Sequence, residues 1–278
     1  MIEASSAKPN NFIEGHINQV GSHELGELNI PFDYSKPSTL IKYLMEVSKV
    51  RNNDIILDFF AGSATTAHAV MQLNAEDNGN RRFIMVQLPE PTPEDSEARK
   101  AGFNTIADIS RKRIELAGAK IKADSPLITQ ALDTGFRAYK LADTLFAKWR
   151  VSSDIEPDKL EQHLLDLRTS TQNQADDNAT QDDLLIEILL KMGLSLTVAI
   201  TTENIAGLPV NRVDSGESDK LLAYLDEHTK PTLKQLRALV DAAPTRLIVL
   251  EDAFHGDDEL KTNLAQYAKS KGIELRTA

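Results

Sequence analysis

The chain has 278 residues, of which 41% are hydrophobic and 26% charged, with no cysteine and a net charge of −11. That length suits one large domain or two modest ones, and the missing cysteines exclude a disulfide scaffold, a thiolate metal site and a cysteine nucleophile. No apolar run approaches the ~20 residues of a membrane span, and the N-terminus lacks a basic-then-apolar signal pattern; no membrane role and a cytoplasmic home are therefore expected. The charge is uneven: residues 1–150 hold 18 basic against 19 acidic side chains, residues 151–278 hold 13 against 23. An acidic C-terminal half repels phosphates, so any nucleic-acid contact has to come from the first half or from another polypeptide.

In chain order, residues 1–30 show no clear period and read as a loose lead-in. Lys36-Pro37-Ser38 reads as a helix start, with Ser38 or the preceding turn as cap and Leu40, Ile41, Leu44, Met45 and Val47 as the apolar face. Residues 55–59 (IILDF) and 83–88 (FIMVQL) are short apolar runs that predict buried parallel strands. Between them a small-residue turn, Ala61-Gly62-Ser63-Ala64, leads into a helix reaching about Leu73. Residues 91–102 read as a loop with short helical turns, 104–120 as a helix with Ile106, Ile109, Ile114 and Leu116 near one face, and 135–141 as a strand. This alternation is that of a doubly wound parallel sheet. Residues 151–182, rich in Gln, Asn and Asp, read as a polar linker. Asp182 or Asp183 then caps a helix over 184–190, ended by Gly193. Beyond it come strand 198–201, helix 234–240, strand 247–251, helix 259–269 and strand 273–276, making 183–278 a smaller α/β domain.

Chemistry concentrates in residues 55–69, IILDFFAGSATTAHA. A strand ending in Asp58 and turning tightly into a helix presents a ligand at the strand's carboxyl end. Phosphate cradles need glycine-rich patterns so that several backbone N–H groups crowd the anion; only Gly62 is present and no lysine follows. A cationic ligand such as S-adenosylmethionine, which has an ammonium, a carboxylate and a sulfonium, suits these residues better. Asp58 attracts its positive end, Gly62 lets the backbone approach, and Ser63, Thr65 and Thr66 offer hydroxyls and helix-N-terminal amides to its carboxylate. A strand–Asp–turn–helix with one glycine is equally an ordinary βα connection. His68 lies inside the following helix and reads as structural, and no His/Asp spacing suggests a metal site. Trp149 reads as an inter-domain core anchor, with base stacking as its alternative.

The stretch NDIILDFFAGSATTAHAVMQLNAEDNGNRRFIMVQLPEP resembles the cofactor motif of type III modification methyltransferases, a β-class group of DNA adenine-N6 methyltransferases. Phe32–Pro37 (FDYSKP), Gly135-Phe136-Arg137, the DLLIEILL run from Asp183, LEDAFHGDDELKTN from Leu250 and the closing residues 272–277 resemble the same family in the same order, covering roughly 31–278. The resemblance implies a partial Rossmann-like S-adenosylmethionine-dependent methyltransferase sheet over 31–150, then the smaller α/β domain. It places Lys36, Pro37 and Ser38 beside the cofactor's methionine part and matches Asp58, Phe59, Ala61 and Gly62 to the cofactor loop. Ala64 stands where the family more often has glycine, which narrows the room there. Such folds hold the ribose with a residue at the end of the second strand, here Gln87, slightly favoured, or Glu90.

Adenine-N6 chemistry also needs an Asp/Asn-Pro-Pro-Tyr/Phe tetrapeptide that receives the flipped base, and no Pro-Pro pair occurs in the chain. The resemblance therefore implies a C-terminal fragment, a split-gene product or an excised piece, inactive alone. DNA would be met through an N-terminal half or partner subunit, with a homodimer or a restriction subunit as further partners. Two other readings compete: a non-enzymatic subunit-interaction module, and an unrelated NAD- or nucleotide-binding protein.

Overall fold

In the computed structural model, which describes residues 13, 15–126, 129–145, 180–214, 216 and 220–278, the chain divides into two units, 1–139 and 140–278. Trp149 and all but the last three residues of the expected linker lie outside the described residues.

The first unit is built on helix α3 (Thr65–Asp77), which joins strands β1 (Ile55–Asp58) and β2 (Arg82–Met85). The strands pair in parallel, Ile55 with Arg82 through Asp58 with Met85. From Thr65 to Met71 every residue of α3 is buried, as a helix enclosed by neighbours must be. Helices α2 (Ser38–Val47) and α5 (Ile106–Asp124) pack against it, and a single turn, α4 (Glu97–Lys100), precedes α5. Thr105 caps α5 with the reciprocal bonds of a capping box to Asp108. At the far end of α3, Asn74 exchanges two hydrogen bonds with the backbone of buried Arg81 (2.9 and 3.0 Å), whose guanidinium also grips Asp77, so the entry to β2 is pinned. Arg81 thereby holds the Asp77 carboxyl below its usual range.

Four expectations change in this unit. The strands are not buried on both faces: Ile56, Phe83 and Met85 pack inward, whereas Ile55, Leu57, Ile84 and Val86 are 45–50% exposed, because the packed helices cover only one face. Residues 135–141 pair with no strand among the described residues; Phe136, Tyr139 and Leu141 are exposed, and alternation predicts a strand only where a core receives one face. The expected loose lead-in contains helix α1 (Asn18–Glu27), whose Leu25, with Leu28 and Ile30 just beyond, enters the core beside Met71 and Ile109. Finally, Ser38 does not cap α2. The Glu24 carboxylate of α1 does so, accepting the Ser38 N–H (3.1 Å) and hydroxyl (2.7 Å).

The second unit carries a five-stranded sheet in the order β3 (Ala199–Ile205), β4 (Leu208–Asp214), β5 (Lys220–Tyr224), β6 (Arg246–Val249), β7 (Glu274–Thr277). β3 to β5 run antiparallel; β5 to β7 are parallel through α7 (Leu233–Asp241) and α8 (Asp258–Ser270). Helix α6 (Gln181–Lys191) adds Leu185, Ile188 and Leu189 to the core. Its cap is Thr180, with Asp183 as the box partner, rather than Asp182 or Asp183. β4 and β5 are not among the elements the sequence pattern predicts. The turn between β3 and β4 is Ala206-Gly207 with positive φ at both, a type I′ geometry usually signalled by Asn-Gly. Pro209 also argues against a strand, yet it pairs with Asn204 next to the turn-closing pair, and β5 pairs with β4 only from Asn211, so no ladder partner loses a donor.

Gly21 sets how closely α1 lies on the chain leading to α2. A Cβ there would stand 2.6 Å from the Ser35 oxygen and the Lys36 carbonyl carbon, whereas one on Gly26 of the same helix would meet nothing within 4 Å. Gly21→Ala is expected to cost about 1–3 kcal/mol through overpacking. Gly26→Ala should instead stabilise by up to about 1 kcal/mol through helix propensity. Urea denaturation followed by circular dichroism measures both.

Candidate functional site

The bend between β1 and α3 is held by hydrogen bonds within it and to the chain after β2 and to α5. Asp58, half-buried at the end of β1, accepts the Phe60 N–H through Oδ1 (3.0 Å) and the Thr66 hydroxyl through Oδ2 (2.6 Å). The ladder continues past the strands, Val86 N–H to Asp58 O (2.8 Å) and Ala61 N–H to Val86 O (3.1 Å). Gly62, at φ +53, donates its N–H to Gln87 Oε1 (2.8 Å), and its carbonyl accepts the Ser110 hydroxyl from α5. Phe59 and Phe60 project outward, 64% and 86% exposed.

Ala64 is the N-cap of α3, at φ +60 and fully buried among Ala67, Met71 and Ile109. The left-handed backbone costs an alanine ~1 kcal/mol relative to glycine, and its buried methyl offsets a comparable amount. Packing of that methyl thus compensates the backbone cost of an alanine at this position.

The structure brings the Lys36-Pro37-Ser38 segment against this bend. Thr65 Oγ1 donates to the Lys36 carbonyl (3.2 Å), and the Ser35 and Ser63 hydroxyls meet at 3.2 Å. Pro37 and Ser38 are buried while Lys36 is exposed, its ammonium 3.5 Å from Asn18 Oδ1. Ser63, Thr65 and Thr66 are buried, and their hydroxyls make internal bonds, Thr66 to Asp58 and the other two to Arg113. Of the two ribose candidates, Gln87 is bonded to the bend. Glu90 is exposed, and no side-chain bond from it to the bend occurs among the described residues.

Two residues that matter here were not singled out from the sequence, Arg113 and Glu24. Arg113 has no exposed side-chain surface, and its Nη2 pairs with Glu24 Oε2 at 2.9 Å. Burial pulls its pKa down to about 10, against the opposing pull of Glu24, so it stays charged at neutral pH. A legible signal existed: Ile109, Arg113 and Ala117 follow one another at intervals of four, placing the arginine on the apolar stripe of α5. His68 lies beside it, with Nδ1 3.4 Å from Arg113 Nη2 and Nε2 3.2 Å from Gln72.

A DNA methylase family matches residues 8–90, from before α1 through the end of β2. The chain is also similar to three modification subunits of type III restriction-modification enzymes. It is 32% identical to the EcoP15I Mod subunit of Escherichia coli over 92% of this chain and 38% of that protein. It is 30% identical to the EcoPI Mod subunit of Escherichia phage P1 over 88% and 36%, and 43% identical to the StyLTI Mod subunit of Salmonella typhimurium over 45% and 19%. The chain is type III Mod-like. It spans less than two fifths of the length of these type III Mod relatives, and the family match includes α1, so the helix carrying Glu24 belongs to the methylase-like segment.

Burial, and next the Arg113 charge, push the His68 imidazole down to about 3. The unfolded histidine takes a proton below about pH 6.5, while the folded one refuses it until near pH 3. Its contribution is therefore intact above about pH 6.5 and is lost as pH falls through that window. Between pH 7 and pH 5 the first unit should lose about 2 kcal/mol of stability from this group. His68→Gln should flatten that loss in urea melts at the two pH values.

Proposed function

We propose that this chain is the S-adenosylmethionine-binding and C-terminal part of a site-specific type III DNA adenine-N6 methyltransferase, and that it does not methylate DNA alone. The observation that carries the reading is the bend after Asp58, joined to the Lys36–Ser38 segment inside the stretch that matches the DNA methylase family.

The residues of the bend fit a cationic adenosyl ligand better than a phosphate. A half-buried carboxylate stands at the strand end, where it opposes a polyanion and attracts an ammonium or sulfonium. A Cβ on Gly62 would meet nothing nearer than the Phe60 oxygen at 3.8 Å, so the turn leaves open space. Asp58 and the exposed Lys36 would hold the amino-acid end of the cofactor, Phe59 would offer apolar surface, and Gln87, held by Gly62, would meet the ribose in preference to Glu90. Pro37, Ser38, Ala61, Ser63, Thr65 and Thr66 shape the site from beneath. When bound, S-adenosylmethionine supplies an electrophilic methyl group.

Acceptance of the flipped adenine requires the Pro-Pro tetrapeptide that this sequence lacks, so base binding falls to another polypeptide segment. The outward face of β1 and β2, with Ile55, Leu57, Ile84 and Val86 half-exposed and Leu88 beyond, supports cover of that face by further chain of the same enzyme. DNA would be gripped there too, since this chain carries a net charge of −11. A second modification subunit or a restriction subunit is the expected assembly partner, and the cytoplasm the expected location.

Calorimetric titration of the chain with S-adenosylhomocysteine should show binding. Asp58→Ala should weaken it about tenfold or more, as loss of a charged contact does, and Glu90→Gln should leave it unchanged. Labelled S-adenosylmethionine should transfer no methyl to duplex DNA with the chain alone. Thermal stabilisation by NAD or ATP in place of the adenosyl sulfonium compounds would overturn the assignment.

A further inference from the structure

We propose that Arg113 is a positioning residue for the cofactor site, holding the two segments that line it, residues 35–38 and 61–66, in one fixed register. The inference rests on the cofactor reading above and extends it to a side chain that lies wholly buried behind the bend.

The geometry converges on one guanidinium. Nη1 donates toward Ser35 Oγ (3.1 Å) on the first segment and toward Ser63 Oγ (2.9 Å) and Thr65 Oγ1 (2.7 Å) on the second. Nη2 donates to Glu24 Oε2 (2.9 Å), and the same carboxylate accepts the N–H and hydroxyl of Ser38. Arg113 therefore reaches residues 35–38 from both ends, directly at Ser35 and through Glu24 at Ser38. One turn earlier on α5, Ser110 holds the carbonyl of Gly62, so a single helix face fixes the bend at three points. Neutral His68 completes the ring of acceptors at 3.4 Å; a protonated imidazole would repel the guanidinium.

A planar guanidinium with two separate nitrogens spans this set, whereas the single nitrogen of a lysine cannot reach both the hydroxyl cluster and Glu24. A residue needed only for general core stability could be a hydrophobe of similar volume, because a buried ion pair contributes little net stability. The polar fan has a geometric consequence instead. It sets where Lys36 and Asp58 stand relative to each other, since Thr65 bonds the Lys36 carbonyl and Thr66 bonds Asp58.

Hydrogen exchange by mass spectrometry on the full chain, wild type against Arg113→Lys, tests this without any ligand. Exchange should accelerate in peptides covering 33–40 and 59–68 and stay unchanged across 181–278. Titration with S-adenosylhomocysteine should show affinity reduced about tenfold or more in the variant. Exchange unchanged in both segments, exchange raised evenly across 15–126, or unchanged affinity for S-adenosylhomocysteine would overturn the proposal. Ser63→Ala removes one acceptor and leaves the charge pair, so it decides by the same readouts if the lysine variant does not fold. Should the wild type take up no S-adenosylhomocysteine, the cofactor reading falls, and the exchange comparison still decides the role of Arg113.

Discussion

The first unit depends on a charge placed where charges are costly. Desolvating a guanidinium and a carboxylate costs several kcal/mol per ion in a real protein, and the Arg113–Glu24 pair recovers this through bonds from both terminal guanidinium nitrogens and from Ser38, with Nε alone left unbonded. Once buried, the pair constrains everything near it. α1 must lie close enough to deliver Glu24, which Gly21 permits by letting the helix touch the Ser35–Lys36 backbone. α2 must begin at Ser38, because Glu24 caps it there. The bend after β1 must turn Ser63 and Thr65 inward. Breaking one partner would leave the other buried and unmatched, a loss of about 3–5 kcal/mol, so the network is tightly held although its net stabilisation is small.

The second unit solves the packing problem without charge. Among its described residues the buried side chains with polar atoms are Asn211 and Tyr224, whose hydroxyl donates to the Thr229 carbonyl, and its core is a continuous cluster of hydrophobic residues from Leu185 through Ala268. β5 and β6 are buried along nearly their whole length, as parallel central strands covered by helices are. A core of this kind tolerates volume-conserving change, whereas directional hydrogen bonds fix positions to fractions of an ångström. The proposed site thus sits in the unit whose interior specifies geometry, while the other interior supplies bulk stability.

Much of this was legible in the residues, for stated reasons. Period and punctuation revealed β1, α3 and β2 because apolar runs and a single glycine turn are local signals. The DLLIEILL helix is legible too, though its cap is Thr180 rather than Asp182 or Asp183. The contribution of α1 was not legible. Its value lies in Gly21, Glu24 and Leu25 meeting residues far along the chain, and no local pattern reports a helix cap supplied from 14 residues away. Arg113 was missed for a related reason. In the run SRKRIE it reads as one more solvated cation, and only its place on the stripe of Ile109 and Ala117 distinguishes it from Arg111. At Ser63 and Thr65 the local signal is incomplete in the opposite sense. Hydroxyls at a helix start read naturally as ligand contacts, but in the structure they are acceptors for the arginine behind them.

The exposed side of β1 and β2 follows from the same asymmetry. A two-stranded parallel sheet is rarely stable by itself, and parallel strands are ordinarily covered on both faces. Here the inner face is secured by α3, and α3 is secured by α2 and by the polar network of α5. The strands therefore hold their register although Ile55, Leu57, Ile84 and Val86 remain half in water. Burying those four side chains the rest of the way would gain on the order of 1 kcal/mol each, which favours cover by apolar surface. Their alternation with Ile56 and Phe83 is continuous apolar sequence rather than apolar–polar sequence, the pattern of strands meant to be enclosed. The residues thus carry the imprint of a two-sided sheet, while the described fold provides the side on which Asp58, Gly62 and Gln87 are positioned.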